Sequence, residues 1–148
     1  MSSPIVIGFR HTGIIVNNMK ESLYFYKDIL GLKVIQDFCD DSDYINKITG
    51  ITNADVHMIK LKAEDGTVVE ILEYKNHPTE LLNQPIYNAG ASHIAFQVKN
   101  ADETYNILKV MDVKIISEPV LSSEGIAKVF FCLDPNNVRI ELVEMLDT

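Results

Sequence analysis

Residues 9–16, FRHTGIIV, form an extended apolar run interrupted by one imidazole, and the following NNMKESLYFYKDILGL switches to a helical period. Leu23, Tyr26, Ile29 and Leu30 fall on one face of that helix. Asn18 stands in N-cap position with Glu21 three residues on, and Gly31 supplies a stop. KVIQDF returns to an extended pattern, and CDDSDYINKITGITNAD reads as a long polar loop. HMIKLKA and TVVEILEY then flank the turn EDG, a hairpin signal. The order is βαβββ.

KNHPTELLNQPIYNAGA, with two prolines and little periodicity, reads as a linker. The order then repeats: SHIAFQV as a strand, NADETYNILKVM as a helix capped by Asn100 with Glu103, VKIIS as a strand, and AKVFFCL and VRIELVE around the turn DPNN. His11, Val16, Asn18, Glu21 and Lys27 recur at a constant offset as His93, Val98, Asn100, Glu103 and Lys109. VVEILE and RIELVE also match, aligning Glu70 with Glu141. The chain therefore reads as internally duplicated, with a histidine on the first strand and a glutamate on the last strand of each module.

Alternate residues of a strand share a face. Val69 and Ile71, like Ile140 and Leu142, belong to the helix-packed face. That leaves Glu70, Glu141 and His93 opposite it, with His11 assigned to the same face and Arg10 pointing away from it. A carboxylate on the interior of a curved sheet needs a cation, a proton or a partner. If the modules pack as a pseudo-twofold pair, His11, Glu70, His93 and Glu141 converge, and two His with two Glu suit a divalent transition metal. Glu73 and Glu144 face the other way and are expected to be solvated. His57 and His77 lack such a partner and read as surface residues. The acidic CDDSD lacks the Gly and distal Glu of a calcium loop.

Composition narrows the classes. At 148 residues the chain holds one globular domain, and no apolar run approaches the roughly 20 residues of a membrane span. MSSPIVIGF carries no basic leader, so a cytoplasmic location is expected. A formal charge of −8 opposes nucleic acid and anionic membranes as partners. Cys39 and Cys132 have no metal-site spacing and are expected to be reduced thiols without a function.

The stretches HTGIIVNNMKESLYFYKDILGLKVI, VVEILEY, SHIAFQVKNADETYNILK and LDPNNVRIELVE make the chain resemble the vicinal oxygen chelate superfamily, the glyoxalase and bleomycin-resistance fold, over roughly 9–144. The resemblance implies an α+β fold of two tandem βαβββ modules, forming a curved, cup-like mixed sheet with helices outside. It implies a single domain over 1–148, with module 1 at about 9–74, a linker at about 75–90 and module 2 at about 91–146. The family's ligand positions fall on His11, Glu70, His93 and Glu141, for one divalent ion per site (Ni, Co, Zn, Mn or Fe). Tyr44, Gln97 and Arg139 are candidate substrate contacts. A small-molecule substrate with adjacent oxygens and a homodimer are the implied partners, the cup being built in this family from one chain or from two exchanged chains.

The family's shared chemistry is chelation of two vicinal oxygens and stabilisation of an enediolate or enolate during proton transfer, with Glu141 or Glu70 as the base. The four-ligand set is similar to that of glyoxalase I-type (lactoylglutathione lyase-like) lyases and isomerases. An epimerase of the methylmalonyl-CoA or sugar/ketone type is the alternative, although DPNN stands where the former carry a Ser-Thr-Gly-Gly stretch. Extradiol dioxygenases leave the Glu70 position without a ligand. A non-catalytic antibiotic-binding or resistance protein is the alternative of another class. The chain has a longer loop than a compact glyoxalase I, and no basic glutathione clamp is recognisable.

Overall fold

The computed structural model describes residues 2–147. The chain divides into two compact units, Met1–Thr79 and Glu80–Thr148. The first holds β1 (Thr12–Ile15), α1 (Met19–Leu23) with a π-helical continuation (Tyr24–Ile29), β2 (Lys33–Asp40), α2 (Asp43–Thr49), β3 (Val56–Lys62) and β4 (Val68–Tyr74). The second holds β5 (His93–Gln97), α3 (Ala101–Val110), β6 (Val120–Leu121), β7 (Ala127–Leu133) and β8 (Arg139–Met145). Their open, curved sheets have the same order, β1-β4-β3-β2 and β5-β8-β7-β6, with the first strand parallel to the last and the other pairs antiparallel. This is the tandem βαβββ arrangement read from the duplication, with one helix added to the first module.

One face of each sheet carries the core. In the first unit Ile14, Val16, Ile59, Leu61, Val69 and Ile71 are buried, as are Met19, Phe25 and Tyr26 of the adjoining helix. In the second, Phe130, Cys132, Ile140 and Leu142 are buried with Ala101 and Leu108 of α3. Burying each such aliphatic side chain stabilises the fold by about 1.5–3 kcal/mol. The alternation on β4 and β8 thus matches the parity argument.

Both helices begin alike. The Asn18 side chain accepts from the Glu21 amide at 3.1 Å, and Asn100 accepts from the Glu103 amide at 2.8 Å. The last strand also reaches in: Glu73 Oε2 accepts from the Met19 amide at 2.6 Å, and Glu144 Oε2 accepts from the Ala101 amide at 2.7 Å. Glu73 and Glu144 do point away from Glu70 and Glu141, but they are helix caps rather than simply solvated groups. A carboxylate at an otherwise unpaired N-terminal amide also meets the positive end of the helix dipole.

Four local expectations change. The first helix widens after Leu23, with the Leu30 amide donating to the Phe25 carbonyl at 2.9 Å and the Leu32 amide to the Tyr26 carbonyl at 3.0 Å. That rotates Met19, Ser22, Phe25 and Tyr26 inward in place of the Leu23, Tyr26, Ile29 and Leu30 stripe. The polar loop begins later, since Cys39 and Asp40 finish β2, and its middle is α2. Asp40 Oδ1 accepts from the Ser42 amide and hydroxyl at 2.9 and 2.6 Å, and Gly50 ends the helix at φ 73°. VKIIS makes only an isolated bridge, Ile115 to Cys132, and the pairing strand is the short β6. Finally, β1 starts at Thr12, so Arg10 and His11 precede the strand.

Candidate metal centre

In the first unit the site is built on the sheet face opposite the core. The register aligns Gln36 with Lys60, Lys60 with Glu70, and Glu70 with Gly13, so these four residues form one row across the sheet. His11 lies two residues before Gly13. Its Nε2 stands 3.6 Å from Glu70 Oε1, while Lys60 Nζ stands 3.7 Å from Glu70 Oε2. The Glu70 carboxylate therefore lies between an imidazole and an ammonium, although the residue is only 8% exposed. Such burial is offset by these neighbours, because an unpaired carboxylate there costs several kcal/mol.

One end of this face is apolar. Ile45 of α2 packs with Ala54, Val56 and Met58, and Phe38, Leu72 and Tyr74 close around them. α2 thus covers part of the open face beside the polar row. Tyr44, expected in a loop, sits on this helix with 63% of its surface exposed.

The second unit repeats the placement. Ala95 is opposite Glu141, as Gly13 is opposite Glu70, and His93 again precedes that position by two residues. The environment differs. Phe131 occupies the place across from Glu141, and its ring meets His93 edge-on at 5.3 Å between centroids. His93 is exposed, Glu141 is half-buried, and they make no ion pair within 4.0 Å. Gln97 is exposed at the end of β5, and the Arg139 guanidinium donates to the Gln84 carbonyl of the linker.

Lys60 was absent from the sequence expectations, yet hairpin counting finds it. A turn closed by the Ala63 and Thr67 backbones pairs Lys62 with Val68 and hence Lys60 with Glu70. His57 also has a partner, Asp37 at 2.7 Å. Both cysteines are free. Burial, with Asp134 adding to it, pushes the Cys132 thiol up to about 12, which leaves it inert at neutral pH.

Within each unit the described residues contain no group of three or more His, Cys, Asp or Glu side chains able to hold a metal ion. The donors that do approach are chemically suitable. An imidazole nitrogen and a carboxylate oxygen 3.6 Å apart match the mixed N and O set of a divalent transition metal, whose bonds to each run about 2.0–2.2 Å. His11 with Glu70 presents one nitrogen and one oxygen donor in the first unit, and His93 with Glu141 offers the same donor types at the matching register of the second.

The Glyoxalase/Bleomycin resistance protein/Dioxygenase superfamily model matches residues 8–142. The chain belongs to this superfamily. It is 28% identical over 149 residues to lactoylglutathione lyase of Schizosaccharomyces pombe, covering 93% of this chain and 47% of that protein. The chain thus spans about half the length of that enzyme. A glyoxalase family protein from Bacillus cereus superposes with a TM-score of 0.89 at 19% identity, covering 99% of each chain. The fosfomycin resistance protein FosX from Listeria monocytogenes, in a structure complexed with Mn(II) and sulfate, superposes at 0.63 with 20% identity, covering 96% of this chain and 95% of that one. Among the described residues no helix is long and apolar enough to cross a membrane.

Proposed function

We propose that this chain is a metal-dependent lyase or isomerase of the glyoxalase-like kind, acting on a small molecule with two adjacent oxygens. The observation that carries the reading is the His11–Glu70 pair at 3.6 Å, with its register repeated by His93 and Glu141. His11, Glu70, His93 and Glu141 would hold one divalent ion (Ni, Co, Zn, Mn or Fe). That ion would supply Lewis acidity toward both substrate oxygens.

The chain's own residues then divide the remaining work. Glu70, held between His11 and Lys60, is the constrained carboxylate. Glu141 has no ion-pair partner among the described residues, so its oxygens are the freer ones to take a proton from the carbon beside the substrate's two adjacent oxygens and return it. Gln97, Arg139 and Tyr44 are assigned to substrate contact. A homodimer is part of the proposal, supported by the N-terminal Ile5, Ile7 and Phe9, which are 99%, 95% and 80% exposed.

Elemental analysis of the purified protein tests the first step, with about one divalent ion per site expected. Glu70→Gln and His93→Ala should each weaken metal binding by at least about tenfold. A wild-type protein that binds no divalent ion refutes the reading. Solvent deuterium incorporation then separates substrates: exchange into the hemithioacetal of methylglyoxal marks a glyoxalase, and exchange into an acyl-CoA epimer marks an epimerase.

A further inference from the structure

The open face of the first module carries a basic corner in an acidic protein. Lys33 lies directly opposite Lys62 on β2 and β3, and Lys60 shares the Lys62 face two residues away. The chain has 21 Asp and Glu against 13 Lys and Arg, so three lysines gathered on one sheet face run against its overall charge. Like charges placed opposite each other on neighbouring strands destabilise the pair. Neither Lys33 nor Lys62 has an acidic partner within 4.0 Å among the described residues; only Lys60 does, and that partner is Glu70. By register, the Lys33–Lys62 row continues through Val68 toward His11, next to the Gln36–Lys60–Glu70 row.

We propose that this corner binds the anionic group of the substrate, so that the substrate class is a small organic oxyanion whose adjacent oxygens reach His11 and Glu70. The inference rests on the functional reading above and adds the charge of the molecule to it. The three lysine Cα positions lie roughly 5–8 Å apart, within reach of one carboxylate or phosphate through their long stems. Lys60 is the specificity-determining residue: its ammonium lies 3.7 Å from Glu70 Oε2 while its strand position neighbours Lys62 on the same face, and it fixes where the anionic end lies relative to the ligand pair. The second module has Phe131 at the corresponding register, so the ammonium is a feature of the first module alone.

Titration calorimetry on the full chain tests this with three probes: 2-hydroxybutyrate, its neutral amide 2-hydroxybutanamide, and phosphoglycolate. At least one anion should bind about tenfold tighter than the amide, the sum expected from a few partly exposed charge pairs. The tighter of the two anions identifies the group as carboxylate or phosphate. Lys60→Met and Lys62→Gln should each reduce that preference, and the double variant should remove it. Lys20→Gln, on the exposed side of α1, should leave it intact. Lys62 is exposed, so its substitution is read on a folded protein even if Lys60→Met proves unstable. Equal binding of anion and amide, no binding of either anion, or a preference surviving in the folded double variant would overturn the inference. Metal content of the same samples separates the two proposals. An anion preference without bound metal leaves this inference standing and removes the metal-dependent reading; bound metal without the preference does the reverse.

Discussion

Glu70 and Glu141 occupy matching places in two sheets of identical order, yet the strand beside them carries Lys60 in one module and Phe131 in the other. On the opposite face the modules remain close copies: Ile71 and Leu142 are both buried, and Glu73 and Glu144 cap the adjoining helices through the same bond. Packing and cap geometry constrain the covered face in both halves, since a lost methylene or cap bond is felt immediately. On the open face the neighbours of the two glutamates differ. The two modules thus share the scaffold and the His–Glu register, while the residue across from each glutamate differs.

That contrast can be attacked at several strengths. The largest effect is expected in the core, where Ile71→Ala and Leu142→Ala should each cost about 2–5 kcal/mol in urea unfolding. A negligible cost at either would show that the two covered faces are not equivalent. On the open face, Lys60→Met removes a cation from a buried carboxylate that keeps only His11, and about 1–3 kcal/mol should be lost. Phe131→Leu, which strands no charge, should cost less than Lys60→Met; the reverse order would break the distinction drawn between Glu70 and Glu141.

Smaller still are the caps. Glu73→Ala and Glu144→Ala should each lose about 0.5–2 kcal/mol, and neither should change bound metal. Metal loss from either would assign these residues to the site instead of the scaffold. Thiol chemistry gives the least energetic contrast: at pH 8 a thiol reagent should label the exposed Cys39 and spare Cys132 until unfolding. The folded Cys132 value is raised from 9.0 to about 12, so its contribution to stability is complete below pH 9 and declines as pH rises toward 12. Rapid labelling of both thiols would contradict the burial of β7.

Much of this was legible in one dimension. The period-2 pattern of VVEILE placed Val69 and Ile71 inside and Glu70 on the open face, and the Asn18 and Asn100 caps followed from spacing to Glu21 and Glu103. The π-helical stretch escaped because a 3.6-residue stripe was visible in Leu23, Tyr26, Ile29 and Leu30, whereas the widened turn is set by what the helix packs on. α2 escaped because its seven residues bury only Ile45, too few apolar positions for a periodic signal.

The sequence by itself determined the repeated module, the α+β order and the matched placing of His11 with His93 and Glu70 with Glu141, because strand parity and repeat spacing are properties of local order along the chain. Tertiary structure decided which groups surround each glutamate. Strand register gave Glu70 an ammonium and Glu141 an aromatic ring, and folding brought Glu73 and Glu144 onto helix ends more than forty residues away. Those contacts depend on hydrogen-bonded alignment between distant strands, whose electrostatic consequences exist only once the carboxylate has been taken out of water.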